Sequence, residues 1–373
     1  MQKKEFQKGG CEYVTTAISE AVNNLTRTAV ISGYWEIDRE IRLPSDFTLI
    51  LKDCHLRLAD GVYSNIFVNE SHGTERGRTV AGTDRNISII GSGEAILDGG
   101  KYNGLSEKNY GRDGLPPIWK NNLLLFTNVD GFRISGIHCR NQRWWTLNFV
   151  YCSNGYLGNI DFCANDIGID ENGNEYHGLR RDLIPGVDGN GTTDYHGMWR
   201  EKYDQILVKN SDGIDLRQGC HHIVIENITG FCEDDSIALT ALNGTLERTF
   251  SVEGLPSDLC YVTVRNIRTA SFFANVRLLN QGDLALHHID IDGVYDMGRQ
   301  SPHMDRGFCA VRVGDTHFYG ARHATANETH HISIKNVRGG GLSVISLAGE
   351  IGDLVMYGIE SFDGARLICD ERQ

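Results

Sequence analysis

Proline is scarce, with 6 residues in a chain of 373, while glycine reaches 43. That balance excludes long Pro-rich linkers and favours many tight turns. Basic residues are also in deficit: 36 Lys and Arg against 49 Asp and Glu leave a net charge of −13. Such a chain has no basic field to displace counterions, so a nucleic-acid partner is not expected. An anionic ligand would need a local basic patch. No apolar run approaches the roughly 20 residues of a membrane span, so no membrane partner is expected either. The ten cysteines include no CxxC pair, which argues against a zinc site and against a dense disulfide framework. They read as free, buried thiols in a reducing compartment. The start, Met1-Gln2-Lys3-Lys4-Glu5-Phe6, has no apolar run behind it, so the expectation is a cytoplasmic protein.

Length alone would allow two domains. Periodicity points to one. A short phrase (apolar, any, apolar, any, Asn or Gly, apolar) returns along the chain. It reads Val129-Asp130-Gly131-Phe132-Arg133-Ile134, His221-His222-Ile223-Val224-Ile225-Glu226-Asn227-Ile228 and Tyr261-Val262-Thr263-Val264-Arg265-Asn266-Ile267. It returns as His287-His288-Ile289-Asp290-Ile291-Asp292-Gly293-Val294 and His330-His331-Ile332-Ser333-Ile334-Lys335-Asn336-Val337. Weaker copies stand at Asn86-Ile87-Ser88-Ile89, Gln205-Ile206-Leu207-Val208 and Asp353-Leu354-Val355-Met356.

The alternation has period two, so the copies are strands, with Asn or Gly read as their ends. Their steps from Ile206 onward run from 17 to 43 residues, which fits one coil with an inserted loop or two coils. No copy is followed by a helical stretch of βαβ type, and Asn-Gly hairpin signals are rare. The prediction is all-β: a single-stranded right-handed parallel β-helix, one solenoid domain over 1–373. Residues 1–30, with Thr15-Thr16-Ala17-Ile18-Ser19-Glu20-Ala21-Val22, read as a short helical N-terminal cap. Residues 161–203 read as a long loop insertion over a groove. Its Asp/Asn/Gly runs at 165–175 and 186–191 lack the 12-residue spacing and closing Glu of a calcium loop, so no metal is assigned. The His pairs 221/222, 287/288 and 330/331 read as a turn preference at a coil corner rather than a ladder of metal ligands.

Two acidic stretches stand out: Asn210-Ser211-Asp212-Gly213-Ile214-Asp215-Leu216 and Glu233-Asp234-Asp235-Ser236-Ile237-Ala238-Leu239. Laying Ile214 on Ile237 puts Asp212 on Asp235, 23 residues on, and Ser211 on Asp234. Each stretch alone reads as a turn. In register they gather three carboxylates that repel and split their pKa values, as acid/base chemistry at a glycosidic bond requires. Because neighbours on a strand face opposite ways, Asp234 and Asp235 need a turn or bulge to share the site. The same register lines up Asp215, Ala238, Arg277 and Arg312 in one outward column. Its two guanidiniums would bind a carboxylate or hold the aspartates ionised, or else form an ordinary solvent-facing charge ladder.

These stretches resemble the Asn-Thr-Asp-Gly-Ile-Asp and Asp-Asp-Cys-Ile-Ala-Ile signatures of the polygalacturonase family of glycoside hydrolases (family 28). Trp144-Trp145-Thr146-Leu147 is similar to that family's Phe-Trp-Thr stretch, and Gly93-Glu94-Ala95-Ile96-Leu97-Asp98-Gly99 to its Gly-x-Gly-x-Ile-Asp-Gly phrase. The resemblance covers roughly residues 30–340. It implies inverting hydrolysis of a pectin-type saccharide without a cofactor. Asp234 would be the general acid, and Asp212 and Asp235 would activate the water. Arg277, Arg312, Trp144, Trp145, Asp215 and Glu233 would line the substrate site, a tryptophan serving as sugar platform and Glu233 and Asp215 as reserve acids. The chain departs from the pattern where the family has a histidine, here Ala274, and a lysine, here Gly314.

Four other readings share the scaffold. A lyase would abstract a proton beside a uronate with Arg277 or Arg312. A fructan transferase or a sugar epimerase would use different acids. A non-catalytic carbohydrate binder would account for the missing histidine and lysine, but the three retained aspartates favour a hydrolase. The absence of an export signal suggests imported oligomers as substrate.

Overall fold

The protein is described here from a computed structural model covering residues 5–100, 118–120, 122–142, 145–164, 168–169, 175–176, 211–244, 247–300, 306–315 and 322–372. The chain winds into a right-handed parallel β-helix. Each complete coil carries a long strand and a short one. In one coil these are His221–Cys232 and Ile237–Ala241. The next coil has Leu259–Ser271 and Ala274–Asn280. Long strands stack on long and short on short, forming parallel sheets of eleven and ten strands. The only antiparallel pair among the described residues joins Gly168–Ile169 to Glu175–Tyr176.

Period-two patterning sets the core. Ile223, Val262, Ile289 and Ile332 sit one above another in register and are each buried. On the short strands Leu147, Ile214, Ile237, Val276, Val311 and Ile345 do the same. Burying each such side chain contributes about 2 kcal/mol. One apolar cluster runs from Cys11 to Ala365. The long steps between copies of the phrase are therefore single coils with inserted loops, since Ile223 pairs Val262 and Ile289 pairs Ile332 directly. The weak copy at 205–208 lies outside the described residues; the neighbour of His221–Cys232 in the sheet is Ser153–Cys163. That strand also occupies the first residues of the stretch read as an insertion at 161–203.

The Asn or Gly of the repeated phrase does not end the strand, as the sequence suggested. It bends it. Asn159, Asn227, Asn266, Gly293, Asn336 and Gly358 are register partners or their continuation, and all have φ between 53° and 81°. Only Gly and Asn adopt this left-handed conformation readily. The asparagines also bond along the stack: Asn266 Nδ2 donates to Asn227 Oδ1 (2.6 Å) and Asn227 Nδ2 to Asn159 Oδ1 (3.2 Å). Asn266→Val should therefore cost about 1–2 kcal/mol, whereas Asn266→Gly stays close to wild type. Equal urea midpoints for the two variants would refute this.

The N-terminal helix, Gly10–Asn23, lies within the 1–30 stretch read as a cap and closes the first coil with Cys11, Val14, Ile18 and Ala21, one apolar face. No disulfide joins the ten cysteines; seven are buried, and Cys163, Cys260 and Cys369 are half-buried.

Candidate active site

The acidic stretches meet at the start of the short strands. Asp212 opens strand Asp212–Leu216, and Asp234 and Asp235 lie in the connection between His221–Cys232 and Ile237–Ala241. That connection is the turn that lets two adjacent aspartates serve one site. Backbone bonds tie the two coils: Glu233 N and Asp234 N donate to Ser211 O (3.0 and 3.1 Å), and Gly213 N donates to Asp235 O (2.9 Å). Gly213 is required by closeness, because a Cβ there would collide with Ser236 O.

One carboxylate oxygen from each of Asp212, Asp234 and Asp235 lies within 4.8 Å of the other two. Asp212 Oδ1 accepts from Asp235 N (2.8 Å). Asp235 accepts from Ala274 N through Oδ1 (3.2 Å) and from Arg277 Nη1 through Oδ2 (3.2 Å). Asp212 and Asp235 are buried, and Asp234 is half-buried. Burial, and then Asp215, Asp234 and Asp235 in turn, push Asp212 well above the usual carboxylate range. Burial pushes Asp235 up to about 6 against the pull of Arg277. It pushes Asp215 up to about 7, with Arg217 opposing. The cluster thus retains protons near neutrality and titrates as a unit.

The outward column forms in the register read from the sequence: Asp215 pairs Ala238, Ala238 pairs Arg277 and Arg277 pairs Arg312. It is not a solvent-facing ladder. Asp215 is fully buried, and Arg277 and Arg312 are 7% and 3% exposed. Both guanidiniums are committed to protein carboxylates. Arg277 bridges Asp235 and Asp315. Arg312 lies 3.5 Å from Asp315 and bonds both oxygens of Glu371 (3.0 and 3.2 Å). Such pairing is what allows charges to be buried.

Sequence reasoning missed three members of this arrangement. Arg217 lies two residues beyond Asp215 on the same face, and extending the alternation would have found it. Its guanidinium sits 3.3 Å over the Trp145 ring and 3.4 Å from Asp215. One face of Trp145 is therefore occupied, and the ring packs 5.1 Å from Trp119. Asp315, three residues after Arg312, could have been suspected from that spacing. Glu371, 59 residues on, carries no local signal. Glu233 is fully buried beside the cluster. Trp144 lies outside the described residues, as do most of the Asp/Asn/Gly runs weighed for calcium. Ala274 stands where the resemblance places a histidine. Gly314 stands where it places a lysine, with φ +79° and its Cβ direction blocked by Ala348 O, so no side chain fits.

Fold and site together define a parallel β-helix bearing a buried cluster of carboxylates at the head of its short strands. No family model matches the sequence, and no curated protein does. Solved structures share the fold. One is described as a 1,3-alpha-1,4-beta-D-galactose-4-sulfate-3,6-anhydro-D-galactose-2-sulfate 4 galactohydrolase, at 11% identity and TM-score 0.54, covering 95% of this chain and 86% of that one. Another is endo-xylogalacturonan hydrolase from Aspergillus tubingensis, at 14% identity and TM-score 0.53, covering 98% and 94%. A third is a double mutant of the tailspike protein of E. coli bacteriophage HK620 in complex with pentasaccharide, at 13% identity and TM-score 0.50, covering 96% and 61%. At these identities the likeness is one of fold.

Proposed function

We propose that this chain is a glycoside hydrolase that cleaves a pectin-type oligo- or polysaccharide with inversion. The observation that supports it most is the meeting of Asp212, Asp234 and Asp235 within 4.8 Å. Asp234, the most accessible of the three, protonates the leaving oxygen. Asp212 and Asp235 hold the attacking water between them; two hydrogen bonds of about 2.7 Å reach one water from oxygens up to about 5.4 Å apart. Asp235, bonded to Arg277, takes the water's proton. The commitment of Arg277 and Arg312 to buried carboxylates weighs against a lyase that uses either as base. It also leaves neither as a ready clamp for a substrate uronate. The coupled carboxylates weigh against a purely binding role, since a binder gains nothing from burying them.

The spacing favours one second reading. Ordinary inverting pairs stand about 6.5–9.5 Å apart and retaining pairs about 5–5.5 Å. Nuclear magnetic resonance of the first-formed anomer decides: inversion supports the water-sharing arrangement, and retention would replace it with a covalent intermediate. A panel of pectic and related oligosaccharides, followed by reducing ends and by ultraviolet absorbance together, tests the reaction class. Absorbance from unsaturated products would overturn hydrolysis.

The pKa directions set the pH dependence. Below about 6 Asp235 takes up a proton and cannot act as base, so kcat/KM should fall as pH drops through that value. Asp215 and Asp235 repel each other within the buried cluster, so Asp215→Asn should move the acid limb to lower pH. An unmoved limb would remove Asp215 from the coupled cluster. Stability runs the other way. The folded groups sit above the unfolded value of 3.8, so the folded chain holds more protons across the window. The cluster's contribution is fully present below about 3.8 and is lost as pH rises through 6 to 7.

A further inference from the structure

At the far end of the short strands from the carboxylates, the chain turns into its next long strand. Two register columns meet at that corner. The first holds Ser153, His221, Cys260, His287, His330 and Gly352. The second, one residue on, holds Asn154, His222, Tyr261, His288, His331 and Asp353, all with φ between 50° and 56°. The left-handed turn explains the second column, because Asn, Asp and His tolerate it better than most residues. It does not explain the first, whose residues precede the turn and yet are His, Cys, His and His on four successive coils.

The rings are ordered along the stack. His288 lies on His331 at 4.5 Å and 8°, and His287 on His330 at 5.0 Å and 1°. Within a coil the rings are crossed. His330 and His331 meet at 75° with their Nδ1 atoms 2.5 Å apart, and His287 and His288 at 78° with theirs 2.6 Å apart. The two Nδ1 atoms of each pair share a hydrogen bond, and an ion that takes both nitrogens replaces its proton. His288, His330 and His331 bring one ring nitrogen each within 4.8 Å of the others. Asp353 stands 3.5 Å from His331 Nδ1 and adds a negative charge beside the cluster.

We propose that His288, His330 and His331 form a surface site for a borderline divalent transition-metal ion such as Zn2+ or Ni2+, with His287 as a fourth nitrogen within reach. Imidazole donors select such ions over Mg2+ or Ca2+. A zinc–nitrogen bond of about 2.0–2.1 Å needs ligand nitrogens about 3.3 Å apart. Small rotations of these exposed or half-buried rings give that spacing. The site is separate from the carboxylates and does not depend on the reaction proposed above.

Calorimetric titration of the full chain with Zn2+, and the spectrum of added Cu2+, test it. The double variant His330→Ser, His331→Asn uses residues the chain itself places at the same corner, Ser153 and Asn154, so the fold tolerates them. The expected result is saturable Zn2+ binding weakened at least about tenfold in this variant, unchanged in Asp212→Asn, and Cu2+ resonance showing nitrogen coupling. Absence of saturable binding, equal affinity in the double variant, or loss of binding in Asp212→Asn would each overturn the site.

Discussion

Asp234→Asn should lower kcat on an unactivated oligosaccharide by about 10³ to 10⁴. Asp234 is the half-buried member of a cluster whose other two aspartates are buried, which makes it the most accessible to the bridging oxygen of a bound sugar. The amide keeps the carboxyl's shape but cannot give up the proton that an alkoxide leaving group needs. A nitrophenyl glycoside leaves as a stabilised phenolate and needs that proton far less, so the loss on it should be much smaller. Asp212→Asn gives the opposite contrast. It disturbs the water rather than the leaving group and should slow both substrates alike. Full turnover by Asp234→Asn on the oligosaccharide would sink the assignment. Equal losses on the two substrates would move the acid to another residue.

Asp315→Ala should destabilise the fold by about 3–5 kcal/mol. Asp315 is 7% exposed and stands between two guanidiniums, bonding Arg277 and lying 3.5 Å from Arg312. Removing it leaves Arg277 to Asp235 alone and Arg312 to Glu371 alone, each buried cation short of one of its two carboxylates. Rearrangement of Arg277 would also disturb Asp235, so activity should fall with stability. The exposed network of Arg322 with Asp283 and Glu328 gives the comparison. Ion pairs in water contribute little, and Arg322→Ala should unfold at nearly the same urea concentration as wild type. If Asp315→Ala and Arg322→Ala cost the same, the buried chain of charges is not what holds this side of the solenoid.

Much of this is legible in the residues. Alternating β-branched side chains in a returning phrase, with few hairpin signals and no helices between the copies, read as stacked coils, and the register of Ile214 on Ile237 follows from matching the two phrases. That register by itself brings Asp212 and Asp235 together and lines up Asp215, Ala238, Arg277 and Arg312. Local chemistry suffices for these results, because strand periodicity is a property of a few neighbouring residues; that the Asn or Gly bends the strand rather than ending it was seen only in the structure. Burial is different. Whether Arg277 faces water or Asp315, whether Arg217 covers Trp145, and whether the histidine before each turn meets its counterpart on the next coil depend on coils separated by loops of unequal length. Glu371 reaches Arg312 across 59 residues. Sequence by itself determined the solenoid and its acidic cluster; tertiary structure alone decided which charges are spent on one another, because the field at a buried group is set by everything packed around it.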